Sequence, residues 1–395
     1  MKRFLLIFLG SILVSPIFSQ GINFVHDLDE ALTKAKVADK MVFVDFYTSW
    51  CGPCKRLSKE VFPTKEAGDF FNKHFINCKV QCDEEGVGAE LGKKYGVRAY
   101  PTLMFLNQKG EIVHTRAGAS DVKNLIDLAK IALDPEKNLL AITTKWENGH
   151  QDLDFASVYF EELKKAYLMT KLKADFEKYF AALNMADKHS AKAFELVKKV
   201  KVFPFSPTLN YLEENKTAYI EHIPVNEFDD FISRTYFAFF KKMARNDSKE
   251  VYDNAIQKFK TKDYPFEDEY VMFFNVLTAK DENGHYNILE FQKSGTKFLE
   301  KYGVNDDNYT ISLTQQLGKC IKGKDEGLAG VEWMDTLLAR NRDPKYLKTY
   351  LYILQRNHQF GKALEVAEEM RDHALANELS TIRIDKQIEQ LKASI

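Results

Sequence analysis

Cysteine is scarce in this 395-residue sequence, and long runs of basic residues are absent. Five cysteines are too few for a disulfide scaffold in a chain of this length, and an odd number leaves at least one thiol unpaired or transiently paired. The formal net charge is −1, with 29% charged residues, so composition gives no electrostatic reason to expect binding to nucleic acid or to an acidic membrane surface. We therefore expect the partners to be proteins.

The first twenty residues have the layout of a secretory signal peptide. Lys2 and Arg3 precede an apolar run over residues 4–14, and small and polar residues follow up to Ser19. The alternative, a retained membrane anchor, is disfavoured because the run is shorter than the ~20 apolar residues that a spanning helix needs. We expect cleavage after Ser19 or Gln20, a periplasmic or secreted mature protein, and no stable membrane insertion after cleavage.

An apolar stretch that ends in two cysteines organises the first part of the chain. Residues 42–47 are mostly β-branched or aromatic, which predicts a buried strand, and Asp45 is a carboxylate within it. If a helix begins at Cys51, Pro53 lies in its first turn, and Cys51 lies where unpaired amides and the helix dipole stabilise a thiolate. We expect Cys51 to be the nucleophile and Cys54 the resolving thiol.

Two other interpretations of this cysteine pair are a zinc half-site and a structural disulfide. Residues i and i+3 of a helix lie roughly 5 Å apart, which a disulfide can bridge. Zinc needs four ligands, and no second C-x-x-C or H-x-x-x-H follows. We therefore predict a redox pair and no metal.

The segment from Trp50 to Lys55, with the sequence WCGPCK, resembles the active site of the thioredoxin family. Residues 94–103 are similar to the helix end, cis-proline and strand of that family, and Gly110 and Gly118 fall where its later turn and last strand lie. The resemblance covers about residues 24–133. It implies an α/β thioredoxin-like domain at 21–134, with a central mixed sheet flanked by helices.

The resemblance also implies roles for individual residues. Asp45, buried beneath the cysteines, would take the proton from Cys54, and Lys79 would modulate Asp45. The Cys51–Cys54 disulfide would be the redox centre, with no other cofactor.

Five residues are implied as the substrate-binding surface: Trp50, Gly52, Pro53, Tyr100 and Pro101. Pro101 would be a cis-proline against the cysteines that presents the backbone of Tyr100 to an extended substrate. Tyr100 departs from the smaller aliphatic residue usual in the family at this position, and its bulky ring is expected to narrow or stiffen the docking site.

Other patterns complete the first domain. Asp27 predicts a helix N-cap, Met41–Tyr47 and Phe75–Cys82 predict strands, and Ser120–Leu133 predicts a closing helix capped by Ser120. Residues 21–134 are expected to fold alone.

Cys78 and Cys82 are predicted to be buried structural cysteines, with a second redox centre as the alternative. Cys78 and Cys82 would share one face of a strand roughly 13 Å apart, too far to bond each other. Cys320 is expected to be a buried or half-exposed bystander.

Residues 135–395 predict an all-α domain. Stretches of helical period replace strand-like alternation, and abundant Phe and Tyr at helical spacing predict a core. Residues 344–376 resemble one tetratricopeptide-type hairpin but depart from that pattern at Leu351 and Met370. The stretches are separated by breakers at Asn148-Gly149, Phe203-Pro204, Ser206-Pro207, Pro224, Pro265, Asn283-Gly284 and Asp343-Pro344.

Three functional hypotheses follow. The first is a periplasmic reductase of protein disulfides, favoured because Gly52-Pro53 resembles the reducing members of the family. It requires an inner-membrane electron donor, because the compartment is oxidising. The second is a disulfide isomerase or chaperone whose helical domain holds misfolded clients or dimerises the protein. The third is an interaction protein whose helical domain binds a fixed partner and whose redox module is minor.

Overall fold

A computed structural model describes residues 21–83, 85–262, 264, 266–281 and 284–395. The predicted signal peptide, Pro265 and Asn283 lie outside these residues. The chain forms two compact units, which divide between Pro224 and Val225.

The first unit contains a five-stranded mixed sheet. Its strands are β1 (Phe24–Val25), β2 (Met41–Tyr47), β3 (Phe75–Gln81), β4 (Thr102–Leu106) and β5 (Ile112–Ala117), in the order β1-β3-β2-β4-β5. Strand β3 pairs in parallel with β1 and β2, whereas β4 is antiparallel to both β2 and β5. The predicted thioredoxin-like fold class is confirmed.

Helices cover both faces of this sheet. They are α1 (Leu28–Ala38), α2 (Gly52–Arg56), which continues into a π-helical turn (Leu57–Val61), α3 (Lys65–His74), α4 (Val87–Lys94) and α5 (Val122–Leu133). Alternation along β2 sends Val42, Val44 and Phe46 into the core beneath α1, and sends Phe43 into the core with the π-helical turn, α3 and α5. Asp45 is two residues after Phe43, so its side chain lies on the same face of β2 and points towards that second core.

The caps of the first and last of these helices differ in how well the sequence predicted them. The Asp27 side chain accepts a hydrogen bond from the Glu30 amide and caps α1, as predicted. The predicted cap at Ser120 is wrong. Asp121 caps α5 instead, accepting from the Asn124 amide at 2.8 Å. Both residues are good N-caps by type, so the sequence pattern did not separate them.

The first unit continues past the predicted boundary at residue 134 with further helices, and two contacts join them to β5. The buried His114 Nδ1 accepts from the Leu139 amide at 3.1 Å, and Arg116 pairs with Glu162 at 3.3 Å. The change to helix therefore does not coincide with the division between compact units. The helices are α6 (Leu139–Glu147), α7 (Leu153–Lys165), α8 (Met169–Ala182), α9 (Met185–Lys188), α10 (Ala191–Val200), α11 (Pro207–Glu214) and α12 (Lys216–Ile220).

The second unit is helical, and many of its aromatic residues are core, as the helical spacing predicted. Tyr236, Phe240, Phe273 and Phe274 are buried, and rings of neighbouring helices contact one another. None of the helices in the described residues is long and apolar enough to cross a membrane. The helices are α13 (Val225–Asn246), α14 (Lys249–Lys260), α15 (Glu267–Leu277), α16 (Ile288–Tyr302), α17 (Asp307–Cys320), α18 (Leu328–Arg340), α19 (Pro344–Arg356), α20 (Phe360–Ala376) and α21 (Ile382–Lys392).

Helices α19 and α20 are joined by three residues and occupy the segment that resembles a tetratricopeptide hairpin. Leu351, where the pattern expects a small residue, is buried in this unit, and so is Ala363. The assignment of this hairpin to that repeat family stays a prediction.

Candidate functional site

Cys51 and Cys54 lie at the start of α2 and form a disulfide, with their Cα atoms 5.3 Å apart. Cys51 is the N-cap, and its Sγ accepts a hydrogen bond from the Cys54 amide at 3.1 Å. After reduction the same amide and the helix dipole favour the Cys51 thiolate, because the helix N-terminus carries unpaired N–H groups. The structure thus places Cys51, the predicted nucleophile, at the N-terminus of a helix.

Three of the residues predicted to bind substrate, Trp50, Gly52 and Pro53, adjoin the cysteines in the chain, and Tyr100 contacts Trp50. Trp50 is 68% exposed, and its ring meets the Tyr100 ring edge-on with centroids 6.0 Å apart. Gly52 and Pro53 are exposed in the first turn of α2. The peptide bond between Tyr100 and Pro101 is cis. Trp50, Gly52 and Pro53 therefore form an exposed surface beside the pair, whereas Tyr100 is half-buried and Pro101 is buried.

Asp45 and Lys79 are neighbours on adjacent strands, and Asp45 is fully buried. Lys79 Nζ lies 3.6 Å from Asp45 Oδ2, too far for a good hydrogen bond, and neither carboxylate oxygen has another partner in the structure. Burial raises the pKa of Asp45 to about 6, and the nearby Lys79 charge opposes this rise. A carboxyl group with this pKa can exchange a proton near neutral pH, as a general base requires.

Sequence reasoning missed several contacts that hold this site. Asp83 accepts hydrogen bonds from both the amide and the hydroxyl of Ser49, which fixes the segment before Trp50. Ser58, in the π-helical turn, accepts a hydrogen bond from Lys79 at 2.7 Å. The serine in the WCGPCKRLS segment was the available signal for Ser58, but pairing across 21 residues requires the fold.

The three other cysteines are free thiols. Cys78 is fully buried, which raises its thiol pKa to about 12, and burial raises the pKa of Cys82 to about 11 although a hydrogen bond with Tyr100 opposes this. Burial also raises the pKa of Cys320. The prediction that Cys82 is buried is wrong, because its side chain is half-exposed where β3 ends, and Cys320 is half-buried, within the expected range. Few of these thiols would ionise at neutral pH, which makes them poor nucleophiles.

A metal site was not expected at the cysteine pair. Among the residues that the structure describes, no group of three or more His, Cys, Asp or Glu side chains is arranged to hold a metal ion.

Comparisons with known proteins agree with this geometry. The family model named Thioredoxin matches residues 24–130. Thioredoxin-1 of Drosophila melanogaster is 33% identical over 93 residues, which are 24% of this chain and 80% of that protein. A protein disulfide-isomerase of Datisca glomerata is 32% identical over 116 residues, 28% of this chain and 22% of the relative. The chain thus spans about a fifth of the length of that isomerase.

A solved structure, the solution structure of a disulphide-isomerase candidate from Bacteroides thetaiotaomicron, is 50% identical and covers 29% of this chain and 94% of its own, with a TM-score of 0.27. The family model covers the sheet, the cysteine pair and the cis-proline segment. By these sequence matches, the chain belongs to the thioredoxin family.

Proposed function

We propose that this protein is a thiol-disulfide oxidoreductase of the periplasm or extracellular space that reduces protein disulfides through Cys51 and Cys54. The observation that carries the proposal is the Cys51 sulfur at the N-cap of α2, accepting the Cys54 amide beside the exposed Trp50. Membership in the thioredoxin family supports it. The location rests on the signal-like sequence of residues 1–20 alone.

The proposed reaction has two exchange steps. The Cys51 thiolate attacks one sulfur of a substrate disulfide, the substrate S–S bond breaks, and the first substrate thiolate leaves and takes a proton. Cys54 then loses its proton to Asp45 and attacks Cys51, which releases the second substrate thiol and forms the Cys51–Cys54 disulfide. Two electrons pass to the substrate. A dithiol donor, proposed to be at the inner membrane, must reduce the pair again.

We propose that the helical residues after 134 select clients. A surface that holds a client raises its local concentration at Cys51 without changing the chemistry of the cysteines. In the second unit, Leu289 and Val304 are exposed apolar side chains. Such exposed apolar side chains are compatible with a protein partner.

The central experiment is insulin reduction by the full-length protein with a chemical dithiol as donor. The wild-type protein should precipitate the insulin B chain, and Cys51→Ser should not exceed the rate without enzyme. Retention of wild-type activity by Cys51→Ser would contradict the proposed function. A Cys51→Ser/Cys54→Ser protein serves as the matched negative control.

Client selection is tested by trapping. Cys54→Ser cannot resolve the mixed disulfide at Cys51, so clients remain attached. Full-length Cys54→Ser should retain a short, reproducible set of extracytoplasmic proteins. Residues 21–224 with the same substitution, which comprise the first compact unit, should retain a different and less reproducible set. Identical sets would remove the second unit from client selection.

A disulfide isomerase is the second candidate, favoured by the names of the Datisca and Bacteroides proteins that the chain resembles. The recovery of activity by scrambled ribonuclease distinguishes an isomerase from a reductase. An isomerase should restore native ribonuclease at the same concentration at which a pure reductase only reduces it.

A further inference from the structure

The Lys79 ammonium has two oxygen neighbours at different distances. Its Nζ lies 2.7 Å from Ser58 Oγ but 3.6 Å from Asp45 Oδ2. Good N–H···O hydrogen bonds span 2.7–3.2 Å, so Lys79 is hydrogen-bonded to Ser58 and interacts with Asp45 mainly through its charge. The parallel register of β2 and β3 pairs Lys79 with Asp45, whereas Ser58 contacts Lys79 from the π-helical turn.

Three aromatic rings surround the same ammonium. Nζ lies 4.8 Å from the ring centre of Tyr47, 5.3 Å from that of Phe62 and 5.5 Å from that of Phe24. Cations within about 6 Å of a ring centre are attracted to its face. The rings therefore keep the ammonium in this region but supply no directed hydrogen bond, which leaves Ser58 as the directed contact in the structure.

An open cavity of about 400 Å³ adjoins Ser58 and Lys79, and Gly21, Phe24, Phe62 and Pro63 also line it. The Lys79 side chain is 14% exposed, whereas that of Asp45 is completely buried. Lys79 and Ser58 thus stand between the buried carboxyl group and a space wide enough for water.

We propose that Ser58 is a positioning residue whose hydroxyl keeps the Lys79 ammonium from closing onto Asp45, so that this carboxylate stays available for the Cys54 proton. This inference rests on the proposed function, in which Asp45 is the base. A π-helical turn inside a helix often accompanies a functional site, and here that turn carries the positioning hydroxyl.

The electrostatic consequence follows from the surroundings of Asp45. The face of the sheet on which it lies is otherwise covered by apolar residues of the π-helical turn, α3 and α5. Lys79 is the charged group that acts on it, and the other titratable groups nearby are the cysteines of α2 and the Cys82 thiol on the opposite face. Closure of Lys79 to hydrogen-bonding distance would stabilise the carboxylate and weaken it as a base.

The test follows the two exchange steps separately in the full-length protein. Reduced protein is mixed with one equivalent of 5,5′-dithiobis(2-nitrobenzoate) between pH 5 and 9. The first thionitrobenzoate is released by Cys51 attack and the second by Cys54 attack. The midpoint of the second phase against pH reports the coupled titration of Cys54 and its base.

For Ser58→Ala we expect the midpoint of the second phase to fall by about one pH unit and its plateau rate to fall about threefold, because the base becomes weaker. The first phase should change less than about twofold. Ser58→Thr, which retains a hydroxyl, should restore the wild-type profile. In a Lys79→Met background, Ser58→Ala should have no further effect, because the hydroxyl acts through the ammonium.

Ser157→Ala is the matched control, since Ser157 also accepts a lysine hydrogen bond, from Lys199 at 2.9 Å, on helix α7. Both phases should stay unchanged in it. An unshifted or raised midpoint in Ser58→Ala, failure of rescue by Ser58→Thr, or an undiminished effect in the Lys79→Met background would overturn the inference. The absence of a second phase in wild type, or its persistence in Cys54→Ser, would overturn the proposed function instead.

Discussion

Each of the two units buries a carboxyl group, but the two groups differ in their hydrogen bonding. In the second unit Glu269 accepts a hydrogen bond from the Tyr309 hydroxyl at 2.6 Å and another from the Asn305 amide at 2.8 Å. In the first unit Asp45 has no hydrogen-bond partner on either oxygen, and its nearest cation is 3.6 Å away. A satisfied buried carboxylate stabilises structure, whereas an unsatisfied one costs stability and is retained where chemistry needs it.

The cysteines give the largest expected contrast between the two units. Cys51→Ser should reduce insulin reduction to the rate without enzyme, because the attacking thiolate is lost. Cys320→Ala, which removes a half-buried thiol at the end of α17, should keep activity within about twofold. The turbidity assay measures both. Similar losses in the two variants would contradict the division of roles between the units.

The buried carboxyl groups should respond to neutralisation with opposite signs. Glu269→Leu should lower the free energy of unfolding by about 3 kcal/mol, because it leaves the Tyr309 hydroxyl and the Asn305 amide without their acceptor. Asp45→Asn should raise the free energy of unfolding at pH 7 by up to about 3 kcal/mol, because a buried carboxyl group with a pKa of about 6 is charged at that pH and is not solvated.

Urea unfolding at pH 7 checks both variants, and the tryptophans separate the units. Trp146 lies buried in the first unit and Trp333 in the second. Trp333→Phe therefore serves as the background for Asp45→Asn, and Trp50→Phe/Trp146→Phe as the background for Glu269→Leu. Destabilisation by both substitutions would mean that Asp45 is satisfied after all.

The pH dependence of stability should reveal two titratable groups in the first unit whose contributions to stability change with pH in opposite directions. The pKa of Asp45 is raised to about 6, so its contribution to stability is full below its usual pKa and is lost as pH rises to about 6. Burial lowers the pKa of His114 to about 4, so its contribution is full above its usual pKa of 6.5 and is lost as pH falls towards 4. Each amounts to about 3 kcal/mol.

Between pH 4 and 6 the two contributions should nearly cancel in the wild-type protein. Asp45→Asn should expose the His114 effect, with stability rising by about 3 kcal/mol from pH 4 to 6.5. His114→Gln should expose the opposite slope. Chemical unfolding at half-unit pH steps measures all three proteins. Parallel curves for wild type and Asp45→Asn would show that Asp45 does not titrate in this window.

The smallest effect on activity is expected from the other thiols. Replacing Cys78, Cys82 and Cys320 together by Ala should cost about 1–3 kcal/mol of stability, mostly from the fully buried Cys78. Exchange rates should remain within about twofold, because burial suppresses ionisation of these thiols. A large loss of turnover in a folded triple variant would reveal a second redox centre.

Local signals in the sequence were sufficient for much of this fold. The run from Met41 to Tyr47 has the composition of a buried strand and coincides with β2, and Asp27 caps α1 as its type and position predict. The cysteine pair lies at a helix start because Gly-Pro is compatible with a first turn. Each of these features depends on residues close together in the chain.

Features that depend on distant pairing were not predictable in the same way. The Ser58–Lys79 hydrogen bond joins a π-helical turn to β3, and the contacts of His114 and Arg116 with α6 and α7 extend the first unit past residue 134. A change of periodicity marks where helices begin, but it does not show what they pack against. Residues 21–134, which are predicted to fold alone, would lack these two contacts on β5.

The reduction potential of the Cys51–Cys54 pair tests the central claim, a disulfide reductase in the first unit, most directly. It can be measured by equilibration of the full-length protein with glutathione or dithiothreitol buffers and by quantifying the free thiols of the pair. We expect a value near that of thioredoxin, roughly −270 mV. A value near −120 mV, typical of a strong oxidant, would contradict it.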